Sequence, residues 1–129
     1  MRSGLILLSL FITSSLMAST NKELICNDQN SHAVYSLKLN ENKLDIKPLI
    51  KDSSTLSSSE ITLNYEEGES SDLNQLFSGK NKDKKTVVAI LSAEQVKNIK
   101  ANQIIEVQVL FSGDSKKLDQ RTEFLCSQN

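Results

Sequence analysis

The sequence predicts a mainly β fold, a small antiparallel β-sandwich or partly open barrel with one short helix. Three observations carry that expectation. Short alternating runs recur at nearly regular spacing, no βαβ unit repeats, and a cysteine stands near each end of the alternating region. A small α+β fold is the alternative, in which the two short helical segments described below run longer than their signals indicate.

The first strand is expected at 23–26, ended by the turn formers Asn27, Asp28, Asn30 and Ser31. Ala33, Tyr35, Leu37 and Leu39 then alternate with Ser36 and Lys38, the period-two signature of a half-buried strand. A polar link at 40–42 leads to Leu44, Ile46 and Pro48 alternating with Asp45 and Lys47, so the two runs read as a hairpin. Pro48 has no N–H for a ladder and belongs at a strand end or an edge.

Serine and threonine dominate 53–59, which lacks the apolar content to pack and is expected to be a loop. The next strand spans 60–65, with Ile61, Leu63 and Tyr65 inward and Thr62 and Asn64 outward. Glu66, Glu67, Gly68 and Glu69 form an acidic turn. Ser71 and Asp72 are then positioned to cap one helical turn that buries Leu73, Leu76 and Phe77 before Gly79 ends it.

Lys80, Lys82, Lys84 and Lys85 make a solvated loop, broken by Asp83. The run at 87–91 is apolar on both sides, as suits a central strand covered on two faces. Ser92 and Gln95 have capping-box spacing, which predicts a short helix over 93–100 that presents Val96 and Ile99 to the core. Ile105, Val107, Val109 and Phe111 alternate with Glu106 and Gln108 in the strongest strand signal of the chain, turned by Gly113 and Asp114. The last strand, 121–127, sets Thr122, Phe124 and Cys126 on one face.

The N-terminus has a different character. Arg2 precedes the apolar run 5–12, followed by polar residues and the small Ala18, which is the layout of a secretory leader. The run is shorter than the roughly 20 apolar residues needed to cross a bilayer, so cleavage after Ala18 and no membrane span in the mature chain are expected. Residues 19–129 then form a single β-rich domain. Cys26 lies well past the apolar run, so a lipidated cysteine is not expected.

Two cysteines in a small exported domain read as one bridge, Cys26 to Cys126, tying the first strand to the last. Metal binding would need further ligands, yet the sole histidine is His32 and no Cys-x-x-Cys unit occurs.

Charge excludes one class of partner. Without the leader the chain keeps all but Arg2 of its 15 basic residues against 16 acidic ones, a net charge of −2, so the basic field of a nucleic-acid binder is missing. The chain has no tryptophan and aromatics are only 5%, which argues against base-stacking and sugar-stacking platforms.

The candidate polar site comprises Glu66, Glu67, Glu69 and Asp72, with His32 as the only side chain whose ordinary pKa is near neutrality. Four carboxylates around Gly68 supply the oxygens calcium favours, but without the Asp-x-Asp-x-Asp-Gly spacing; no metal or other cofactor is expected. A nucleophilic hydrolase would need a base and a nucleophile, and no Gly-x-Ser-x-Gly elbow is present.

The expected function is a non-enzymatic binding module, periplasmic or extracellular, offering loops or a sheet edge to another protein or envelope component. Two alternatives stand beside it. A small hydrolase would use the carboxylates of the 66–72 turn in a converging pocket. A closed-barrel carrier would hold a small ligand in an apolar cavity.

Overall fold

A computed structural model describes residues 22–40, 42–52, 56, 59–100, 102–112 and 117–128. The expected leader at 1–18, most of the 53–59 serine segment and the Gly113 and Asp114 turn lie outside the described residues.

Among the described residues eight strands follow in chain order: β1 (Lys22–Asp28), β2 (Val34–Leu39), β3 (Lys43–Ile50), β4 (Ile61–Tyr65), β5 (Asn74–Lys80), β6 (Thr86–Ser92), β7 (Ile104–Phe111) and β8 (Gln120–Gln128). A short α-helix, α1 (Ala93–Lys97), leads out of β6. Each strand pairs antiparallel with the next and β8 returns to β1, so the sheet closes into an up-and-down barrel. The mainly β expectation with one short helix therefore holds, in the form of full closure rather than a sandwich or partly open barrel.

Alternation sets the wall. Tyr35, Leu37, Leu39, Leu44, Ile46, Ile61, Leu63, Val107, Val109 and Phe124 point inward and are buried, while Lys38, Thr62, Glu106 and Gln108 point outward and are exposed. Eight strands enclose a space that side chains can fill. Here the Tyr35 and Phe124 rings stack inside it with centroids 4.9 Å apart, and Tyr65 meets Phe77 edge to face at 5.5 Å. Buried Tyr35 also accepts a 2.8 Å hydrogen bond at its hydroxyl from the Leu56 amide, which pins the buried Leu56 over that end of the core.

Cys26 and Cys126 face one another across the β1/β8 ladder with Cα atoms 4.0 Å apart and form the disulfide. Both are buried inside the barrel. The bridge thus fastens the seam where two segments 100 residues apart in sequence meet.

Three local expectations change. The first strand runs to Asp28 rather than ending at Cys26, because Asp28 is itself turned inward and satisfied there. The helix is a single turn, Ala93–Lys97, with Ser92 Oγ accepting from the Gln95 amide as its spacing predicts. The third change is larger: β5 occupies the segment expected to form a helical turn at 71–77. Leu73, Leu76 and Phe77 mimic helical spacing, but only Phe77 faces the core. Leu76 lies on the outer face opposite Ile90, and Leu73 is 76% exposed.

Pro48 sits past the last β3/β4 pair, Ile46↔Ile61, beside a register shift between Val34 and Tyr35. That placement fits a residue lacking an N–H donor.

Candidate functional site

Up-and-down order sorts the connections onto two ends. The turns after β1, β3, β5 and β7 share one end, and those after β2, β4 and β6 share the other with the start of β1 and the end of β8. His32 lies in the β1–β2 turn and Glu66, Glu67, Glu69 and Asp72 in the β4–β5 connection, so the sequence-predicted polar residues stand at opposite ends and form no common site.

At the His32 end, a hydrogen-bonded cluster ties the first turn to the last strand. The buried Asp28 carboxylate accepts from the Thr122 hydroxyl, from the Asn30 amide at 3.0 Å and from the Ser31 hydroxyl at 3.0 Å. Asn30 Nδ2 donates to Thr122 Oγ1 at 3.0 Å and to the Arg121 carbonyl at 3.1 Å. His32 itself is exposed, and its backbone amide donates to Asp52 Oδ2 at 2.7 Å. Every polar group in this cluster has a use in holding the turn, so its evident role is to fix the β1–β2 corner. Only the turn-forming character of Asp28, Asn30 and Ser31 was visible in the sequence; the Thr122 partner comes from the other end of the chain.

The lysine-bearing turn at the same end is held by Asn81, whose Oδ1 accepts from the amides of Asp83 and Lys85 at 3.0 Å each. Lys84 adopts φ 62° there, and Lys82 and Lys84 are exposed. No aromatic side chain accompanies them in the turn.

At the other end the acidic turn is a short 3-10 helix, Glu67–Glu69, with Glu67, Glu69 and Asp72 exposed and Glu66 half-buried. The carboxylates of Glu67, Glu69 and Asp72 stand in water. Among the described residues no group of three or more His, Cys, Asp or Glu side chains is arranged to hold a metal ion. None of the three described surface depressions is lined by this turn; they lie at Asn98–Gln103, at Lys22 with Asp45, and at Gln29 with Arg121.

The backbone of this connection is firmly tied. The Glu66 amide donates to the Leu76 carbonyl at 2.9 Å, and the Ser70 hydroxyl donates to the Glu66 carbonyl at 2.7 Å while accepting from the Leu76 amide at 3.0 Å. Ser71 Oγ accepts from the amides of Leu73 and Asn74, and the Leu73 carbonyl accepts from the Ala93 amide at 2.9 Å, anchoring the loop to the start of α1. The result is a fixed platform that holds Leu73 out in solvent with carboxylates on the residues before it. The sequence signalled the carboxylates; it gave Leu73 to the core, and only the strand pairing of β5 reveals it as exposed.

No protein-family model, curated protein or solved structure matches this chain. Among the described residues no helix is long and apolar enough to cross a membrane.

Proposed function

We propose that this chain is an exported, non-enzymatic binding domain, periplasmic or extracellular, which engages another protein or envelope component through the rim around Leu73. The carrying observation is that a leucine 76% exposed is held at the crest of a connection whose backbone is tied on both sides. A pre-ordered loop loses little conformational freedom on binding, which leaves more of its contact energy as affinity. Glu66, Glu67, Glu69 and Asp72 give that rim a negative field, so its complement is a basic surface with an apolar socket.

Other features support the same reading. The leader-like order of residues 1–18 and the Cys26–Cys126 bridge both fit an oxidising compartment outside the cytosol. The interior is taken up by Tyr35, Phe77, Phe124 and their aliphatic neighbours, which favours surface recognition over carriage of a ligand. Closure of the barrel also removes the sheet edge that an open sandwich would offer. Every strand has two neighbours among the described residues, so recognition falls to the loops.

The test is capture from the native compartment with the oxidised domain, immobilised through the lysine-bearing end so that the Leu73 rim stays free. The wild type is expected to retain one stoichiometric partner, less at high salt, and Leu73→Asp to reduce retention at least about tenfold. Equal retention by both forms, or none by either, rejects the reading. Intact mass of the native protein is expected to begin at Ser19; a retained Met1 rejects export by cleavage.

A further inference from the structure

The strand β6 carries an apolar residue at every position from Val87 to Leu91, so its outer face is as apolar as its inner one. Val87, Ala89 and Leu91 fill the core, whereas Val88 and Ile90 lie on the outer face, Val88 only 8% exposed and Ile90 half-buried among their neighbours. Their register neighbours extend the outward strip. Ser78 on β5 and Leu110 on β7 flank Val88, and Leu76 and Gln108 flank Ile90.

This face is uncharged at its centre and oppositely charged at two corners. Lys80, opposite Thr86 at one end of β5, is exposed, and so is Glu106 at the other end of β7. Thr62 and Asn64 on β4 border one side. On the other, Arg121 and Glu123 of β8 lie beside Leu110 and Gln108 and are joined to each other at 3.1 Å. An apolar centre inside a polar rim is the anatomy of a protein interface.

We propose that this outer face of β5, β6 and β7 is a self-association surface whose occupant is the same face of a second copy. Charge complementarity selects that occupant. A two-fold axis lying in the face and inclined to the strands brings the Lys80 corner of each copy over the Glu106 corner of the other, so the same ion pair forms twice around the shared apolar strip. The surface adjoins the tied connection at Leu76, but self-association through it does not require a partner at the Leu73 rim.

Sedimentation velocity of the oxidised domain up to ~100 µM tests this, since an interface of modest area gives a dimer in the micromolar range or weaker. The wild type is expected to dimerise. Ile90→Glu is expected to weaken dimerisation at least about tenfold, with an intact disulfide and a cooperative melt showing that the barrel still folds. Lys80→Glu alone is expected to weaken it, and Lys80→Glu combined with Glu106→Lys to restore it, which general damage to folding would not do. A monomer at every concentration overturns the proposal. So does a dimer indifferent to Ile90→Glu, or one the paired reversal fails to restore. A monomer that instead retains a different protein only while Ile90 is intact assigns the face to that protein and equally overturns self-association.

Discussion

Where β8 meets β1, the ladder runs from Leu24↔Gln128 to Asp28↔Phe124 with the disulfide in its middle. On the opposite wall, four strands away, the β4/β5 register is confined to Asn64↔Ser78 and Tyr65↔Phe77. The first seam joins segments from the two ends of the chain and must offset the entropy of closing a long loop. The second joins strands linked by a tied connection, so a few pairs suffice. Covalent reinforcement stands where closure is entropically most demanding.

The largest expected effect tests the first seam. A chain with Cys26→Ser and Cys126→Ser loses up to about 4.7 kcal/mol by the loop-entropy model, which lowers the melting temperature by up to roughly 20 °C. An unshifted melt would mean that the ladder closes the barrel unaided.

Gly79 tests the second. A Cβ there would stand 2.7 Å from the Thr62 carbonyl oxygen and 3.0 Å from Leu63 Cδ2, so β4 and β5 approach this closely only because position 79 has no side chain. Gly79→Ala is expected to cost about 1–3 kcal/mol, measured by denaturant unfolding. Hydrogen exchange sharpens the contrast without mutation: β4 amides are expected to exchange ahead of those in β7 and β8, through local opening below the global stability. Equal protection on both walls would erase the distinction.

Smallest is Thr122→Val, which removes the hydroxyl shared by Asp28 and Asn30 at the open end of the β1/β8 seam. A loss of about 1–2 kcal/mol is expected, again from denaturant unfolding. No loss would mean that the Thr122 hydroxyl adds nothing to that seam beyond the disulfide, the ladder and the Asn30–Arg121 bond.

The same contrast explains what could be read from residues alone. The β2, β3, β7 and β8 strands were legible because a half-buried wall imposes alternation, and Tyr35, Ile46, Val107 and Phe124 obey it. The pairing of Cys26 with Cys126 was legible because there was only one way to join two thiols. The strand β5 was not. Its inward positions are Gln75, Phe77 and Gly79, a polar residue near the barrel end, one aromatic, and a glycine demanded by the close approach of β4. A single apolar residue cannot announce a period of two, whereas Leu73, Leu76 and Phe77 happened to suggest a helical one. The candidate site was half legible for a related reason. Carboxylates in a turn are visible as composition, but that Leu73 stands among them in solvent, and that His32 is at the far end, follows from topology.

Because both sulfurs of the Cys26–Cys126 bridge lie within the barrel rather than on its skin, a thiol reagent in the surroundings has no line of approach while the wall is intact. The rate at which such a reagent cleaves the bond therefore clocks how often β1 and β8 part. A molecule with this arrangement carries an internal gauge of its own breathing, readable with nothing more than a reductant and a mass spectrometer.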